Sequence, residues 1–273
     1  MNIYSEGKYI NSVSQAPVTI CIPVYNGAIH LMECLNSVVN QSFSDFQVLV
    51  VDNASTDGTA KICLDFDDER FHYLRNDCNI GSIKNHNRCI DLALSEYFKI
   101  LSSDDVLFND TIERQFLALR ARPELALVTV DCTVTGPNLE PLYDSEYLPG
   151  LIKGEEAVRR CVFRIDNKIG GPSNTMLRRN IVGEIRYDTK YKWLADLDFH
   201  CRLLGRGDYF NVGRSGFFYR RHAASDSALG CPLKIREQDE IAFVRQYGNS
   251  VLSYVRLGGR WLRRRWSPGY GWN

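Results

Sequence analysis

The chain has 273 residues with 33 basic and 33 acidic side chains, so its formal net charge is zero. That length holds a sizeable core without disulfide or metal staples, and 44% hydrophobic with 24% charged residues excludes wholesale disorder. The charge balance removes the simplest case for a nucleic-acid binder, which needs a basic surplus. No run of about 18 apolar residues marks a membrane-spanning helix. The nine cysteines are odd in number and scattered, without Cys-x-x-Cys or a Cys/His cluster at zinc spacing. Several sit in apolar runs, which predicts buried free thiols in a reducing cytosol. The N-terminal MNIYSEGKYINS has no apolar core fit for a signal peptide, so a cytoplasmic chain is expected.

Strand and helix signals alternate through the first hundred residues. VTICIPVY (18–25) is a β-rich apolar run stopped by Asn26-Gly27, and Leu31, Leu35 and Val38 then mark one helix face. FQVLVVD (46–52) is apolar on both faces, as a central parallel strand should be. It runs into the turn cluster NASTDGT and a helix from Thr59. FHYLR (71–75) predicts a third strand, a helix follows through Leu94, and YFKILSS (97–103) predicts a fourth strand ending at Asp104-Asp105. This alternation predicts a doubly wound α/β sheet, in which ligands bind at the carboxyl ends of the strands. Asn26, Asp52, Asn53 and Asp104 fall at those ends.

Beyond residue 106 the alternation weakens. A helix over 111–120, a strand over 125–130 and a Pro/Gly-rich loop over 136–150 are expected, then a helix over 155–163. A Gly-Gly-Pro turn at 170–172, a helix over 196–204, strands near Tyr209 and Phe217 and a helical last forty residues complete the chain.

Neither a Gly-rich dinucleotide fingerprint nor a Walker-type Gly-Lys-Ser/Thr is present. The first turn, PVYNGA, offers a rigid proline, an aromatic face and an amide. Tyr25 suits stacking on a base or a place on a rim. Asp52 ends a buried strand, where a carboxylate needs donors. A base imide, ribose hydroxyls, or a turn tied by Asn53 and Ser55 would supply them. Asp104 and Asp105 suit a hard divalent ion that also holds phosphate oxygens, or Asp105 caps the next helix.

Four ordered segments together carry a resemblance. VTICIPVYNGA, NQSFSDFQVLVVDNASTDGT, NIGSIKNHNRCIDLALSEYFKILSSDDVL, and WLADLDFHCRLL with YRRHAASDS resemble the family-2 glycosyltransferases of GT-A fold over residues 17–225. The resemblance implies a mixed, mostly parallel central sheet flanked by helices. It also implies inverting transfer of a sugar from a nucleotide diphosphate donor, with magnesium or manganese. On that resemblance Pro23, Tyr25 and Asn26 surround the nucleoside, and Asp52 reads the base with Asn53 and Ser55 beside it. Asn79, Gly81, Asn85 and Asn87 flank the nucleotide. Asp104, with Ser103 beside it, is the second acid of the Asp-x-Asp motif, which reaches metal and diphosphate, and His222 approaches the same metal. Asp196 is the catalytic base, with Arg202 further along its helix. Two positions depart from the family pattern: Ser102 replaces the first acid of Asp-x-Asp, and Ala195 replaces the Glu before the base.

The implied division is a donor-binding half over 1–105, an acceptor and catalytic half over 106–230, and a basic helical tail over 231–273. Asn174 suits a sugar hydroxyl or turn geometry, and Trp193 suits a sugar ring or the core. Asp198, two residues past the base, points about 200° from it on a helix, as a solvated or capping carboxylate or a partner of Arg202. By family habit the nucleoside is uridine, with thymidine and guanosine as alternatives. The resemblance implies as acceptor a glycan or lipid-linked glycan of a bacterial surface polysaccharide. Arg256, Arg260 and Arg263 to Arg265, interleaved with Leu257, Trp261, Leu262 and Trp266, suit an anionic membrane surface as well as a solvated helix or an oligomer contact. Gly258-Gly259 is expected to interrupt that helix. A nucleotidyltransferase of the same fold, or an inactive nucleotide-sugar or glycan-binding module, are the competing readings. PVYNGA lacks the basic residues that the first would place on a triphosphate, and Asp104 and Asp196 speak against the second.

Overall fold

The computed structural model describes residues 2–3, 16–223, 225, 231–248 and 257–259. The elements are, in chain order, β1 (Asn2–Ile3), β2 (Val18–Val24), α1 (Leu31–Val39), β3 (Phe46–Asp52), α2 (Thr59–Asp65), β4 (Phe71–Arg75), α3 (Ser82–Leu92) and β5 (Tyr97–Ile100). They continue with β6 (Val106–Leu107), α4 (Thr111–Ala121), β7 (Leu125–Thr135), β8 (Pro141–Ser145), β9 (Gly150–Ile152), α5 (Gly154–Arg164) and β10 (Thr175–Arg178). A short α6 (Arg179–Val182), α7 (Ala195–Leu204), β11 (Asp208–Arg220) and α8 (Leu233–Tyr247) follow.

One sheet of order β1-β4-β3-β2-β5-β10-β7-β11-β6 runs through the molecule. Its first five strands pair in parallel. β10 then lies antiparallel between β5 and β7, and β7 pairs with β11 in parallel. All seven residues of β2 and of β3 are buried, because helices cover both sheet faces. Ile20, Ile22, Val48 and Val50 face α1, α2 and α4. Cys21, Leu49 and Val51 face α3, α5 and α7. The strand period of two thus divides one apolar run between two cores.

The differences from expectation lie in the second half. The strand beginning at Leu125 runs on to Thr135 and forms a hairpin with β8, inside the stretch expected to be loop. The segments near Tyr209 and Phe217 are one strand, bent where the register shifts between Asn211 and Ser215. Gly213 supplies the positive φ of 74° at that bend, which a side chain would resist. β10 was not foreseen at all. Seven cysteines are buried and all nine are free. Leu257 to Gly259 are helical, and the residues on either side, where an interruption by Gly258-Gly259 would show, lie outside the described residues. Leu257 packs on Ile165 and Val244. Arg256, Arg260, Trp261, Leu262, Arg263 to Arg265 and Trp266 lie outside the described residues. Among the described residues no helix is long and apolar enough to cross a membrane.

Candidate active site

The carboxyl ends of β2, β3 and β5 converge on three loops. The first turn crosses from β2 to α1, with Asn26 in the left-handed region at φ 52°. Its Oδ1 accepts from the Thr56 N–H at 2.8 Å, and its own N–H donates to Ser55 Oγ at 2.9 Å. Gly27 sits against the loop after β5: a Cβ there would stand 2.6 Å from Val24 Cγ2 and 3.2 Å from Ser103 Oγ. Tyr25 is half exposed above this junction, and Pro23 is buried within β2.

Asp52 is fully buried. Its Oδ1 accepts from the Ser55 N–H at 2.9 Å and the Ser55 hydroxyl at 2.5 Å, and its Oδ2 accepts from Tyr73 at 2.6 Å. Burial, and then this bond to Asp52, push the Tyr73 phenol above its usual range, which keeps it a donor. The carboxylate therefore ties the turn and presents no surface from which to read a base. Asn53 is spent in the same way. Its Nδ2 donates to Asn79 Oδ1 at 2.9 Å, and its Oδ1 accepts from Asn76 and from the Ile80 N–H, both at 2.9 Å.

Two further asparagines change role. Asn85 is buried, donates to the Val51 carbonyl at 2.9 Å and accepts from Asn76 at 3.0 Å. Asn87 clasps Tyr187 by both backbone groups, at 2.9 and 2.7 Å. These amides anchor the start of α3 to β3 and to the segment before α7, because a carboxamide satisfies one donor and one acceptor of irregular backbone at once. Asn79 remains exposed at the rim.

The loop after β5 carries Asp104 and Asp105. Asp104 is partly exposed, and its Oδ2 lies 3.0 Å from His222 Nε2. The His30 ring stands 4.7 Å from that of His222. Beneath them Arg220, 2% exposed, donates Nε to the Asp104 carbonyl at 2.9 Å, donates its backbone N–H to Asp105 Oδ1 at 3.1 Å, and ion-pairs with Glu33. Asp105 is buried and is no helix cap; burial, with the Asp104 charge adding, raises it well above the usual carboxylate range. Lys99, buried beside it, donates to the Ser173 and Thr175 carbonyls, and burial lowers it to about 7 against the pull of Asp105. The Ser102 N–H donates to Ser173 Oγ at 3.0 Å. The missing acid at Ser102 thus leaves a loop fixed from below by Arg220 and Ser173.

Asp196 is half-buried in the first turn of α7, and its charge reaches Tyr187. Tyr187 stacks on Phe199 at 4.2 Å. Asp198 is neither solvated nor a cap: it is fully buried. Its Oδ2 accepts from Arg202 at 2.9 and 2.7 Å, and its Oδ1 from Gln246 at 3.0 Å and Tyr247 at 2.8 Å. Arg202 also donates to the Arg186 carbonyl at 2.7 Å, so its Nε and Nη2 are both held by the protein. Asp198→Asn is therefore a stability variant. Removing one partner of a buried pair costs about 3 kcal/mol, the low end because Arg202 retains some solvent, or roughly 6–12 °C in melting temperature. A melt within 2 °C of wild type would contradict this.

Asn174 also leaves the site. It is buried, donates to the Val130 carbonyl at 2.8 Å and accepts from the Gly171 N–H at 2.9 Å. Trp193 stays 37% exposed, with the Arg236 guanidinium 4.0 Å from its ring centre. Asp239 carries no local signal, yet its Oδ2 accepts from the Lys192, Trp193 and Leu194 N–H groups, 45 to 47 residues earlier in the chain, and so sets the entry into α7. Arg220 is the second residue of the YRRH segment, but its reach to both Glu33 and Asp104 is a tertiary fact.

A cavity of about 610 Å³ lies at the opposite, amino ends of the strands, beside Pro17, Asp45 and Glu96, away from these groups. The partly exposed polar side chains gather at the carboxyl ends, where an open α/β sheet holds its ligand.

The family model of glycosyl transferase family 2 matches residues 19–186. The chain is 26% identical over 192 residues to the putative teichuronic acid biosynthesis glycosyltransferase TuaG of Bacillus subtilis, covering 70% of this chain and 73% of that one. It is 38% identical over 101 residues to the abequosyltransferase RfbV of Salmonella typhimurium, covering 35% and 30%. Its fold superposes on S. aureus TarS 1–349, solved in complex with UDP-GlcNAc, with a TM-score of 0.68 at 17% identity, over 84% of this chain and 65% of that one. The architecture is that of the GT-A glycosyltransferases, and the chain belongs to glycosyl transferase family 2.

Proposed function

We propose that the chain transfers a sugar, with inversion, from a UDP-sugar to a hydroxyl of a glycan or lipid-linked glycan in surface-polysaccharide synthesis. The observation that carries this reading is the Asp104–His222 pair at 3.0 Å, partly exposed at the strand ends and braced by Arg220. The Asp104 carboxylate oxygen suits magnesium or manganese that takes its remaining ligands from a diphosphate and water, and the His222 nitrogen beside it suits the softer manganese better. Among the described residues no group of three or more ligating side chains would hold a metal by protein alone, which fits an ion bound together with the nucleotide. Asp104 and His222 would hold it, and its charge would stabilise the departing diphosphate.

The protein groups have separable tasks. Tyr25 and Asn26 border the nucleoside side of the cleft. Asp52, Asn53, Asn79 and Asn85 keep its floor in register, and Ser103 faces the first turn at Gly27. Asp196 accepts the proton of the acceptor hydroxyl as that oxygen bonds to the anomeric carbon and the bond to UDP breaks. The solved complexes of TarS with UDP-GlcNAc and with UDP support a uridine donor, and TuaG and RfbV support the polysaccharide setting.

A thermal-shift series tests the donor. UDP and UDP-sugars should raise the melting temperature with manganese and much less without it, by mass action on the folded state. Equal shifts from all nucleoside diphosphates, or none, would overturn the uridine assignment.

A further inference from the structure

Beside the entry to α7 lies a groove of about 380 Å³ that the chemistry above does not use. It runs between the turn at Gly81 and the segment from Thr189 to Trp193, and ends at Cys231. Among the described residues its lining holds two cations, Lys84 and Lys192, and no carboxylate. Both lysines are exposed, and neither forms an ion pair among the described residues.

The neighbouring acids are committed elsewhere. Asp188 pairs with Lys190 at 3.0 Å, and buried Asp239 takes the three N–H groups that lead into α7. A further cation stands at the rim: Arg236 lies over Trp193, with its Nε bound to the Cys231 carbonyl at 2.9 Å. Among the described residues the groove is positive on balance, and it carries a partly exposed indole.

Its walls are also fixed. Asn87 ties α3 to Tyr187, and Asp239 pins the backbone that bears Lys192 and Trp193. Binding there would cost little ordering beyond the two lysine side chains. Trp193 precedes Asp196 by three residues, whereas the donor diphosphate is assigned to Asp104 and His222. The groove therefore belongs to the acceptor side.

We propose that this groove is a subsite for an anionic saccharide, a sugar that carries a phosphate or a carboxylate. Its ring would lie on Trp193 and its anion between Lys84 and Lys192. The proposal rests on reading Asp196 as the base. An ammonium is a point charge without a planar fork, so it serves either anion.

Calorimetry with glucose 1-phosphate, glucuronate and glucose tests it, each titrated with and without saturating UDP and magnesium. Both charged sugars should bind at least about tenfold more tightly than glucose, the low end for hydrogen bonds to charged groups. That preference should shrink as salt is raised. Lys84→Gln with Lys192→Gln should bring both to the level of glucose, and Trp193→Ala should weaken all three. A stronger effect for glucose 1-phosphate than for glucuronate assigns a phosphate, and the reverse a uronic acid. Equal binding of charged and neutral sugars, or a preference that survives loss of both lysines, would overturn the proposal. The UDP titration reads the donor assignment independently: UDP binding without charge preference refutes the groove alone, and absent UDP binding refutes the donor reading.

Discussion

Asp196→Asn is expected to lower sugar transfer at least about a hundredfold, the low end for losing a general base, with UDP affinity unchanged within about twofold. The carboxylate is half-buried in the first turn of α7, an element separate from the loop that bears Asp104. The substitution is nearly isosteric and keeps a polar group at the helix start, so lost rate would not reflect a misfolded helix. A melting temperature alongside the rate separates the two effects. Near-full transfer by the variant would place the base elsewhere. Asp198→Asn cannot serve as a silent companion, because its carboxylate holds Arg202, Gln246 and Tyr247.

Asp104→Ala should weaken manganese-supported UDP binding by at least about a hundredfold, since a metal clamp on a diphosphate is worth several kcal/mol, and should leave metal-free UDP binding alone. The fold should survive. Arg220 holds the Asp104 backbone carbonyl and the Asp105 side chain, neither of which the substitution removes. Calorimetry of UDP with and without manganese reads both arms. Unchanged affinity with manganese would remove Asp104 from the metal.

The first half of the fold was legible because central parallel strands, covered on both faces, read as unbroken apolar runs. FQVLVVD and FHYLR gave β3 and β4 to the residue. β10 was hidden because TMLR is four residues long, between a turn and a helix, with no period to detect. The Asp196 and Asp198 separation around the helix was also legible, since one side is buried and the other partly open. What local sequence could not supply was the partner across the fold: Gln246 and Tyr247 make Asp198 a buried anchor.

The asparagines show the same limit. Asn53, Asn85 and Asn87 suit a nucleotide and suit irregular backbone equally well, and the structure uses them for backbone. Asp52 follows them through Ser55 and Tyr73. Asp104, His222 and Asp196, each partly exposed, keep surface to offer a ligand, as do the more open Tyr25, Asn79 and Trp193.

Proton NMR of the sugar product most directly tests inverting transfer from a UDP-sugar. Wild-type protein with manganese and an α-linked UDP-sugar should release UDP and form first the β-anomer, whether the acceptor is a sugar hydroxyl or water, before mutarotation mixes the forms. Prompt appearance of the α-anomer, or no UDP release from any sugar donor, would contradict it.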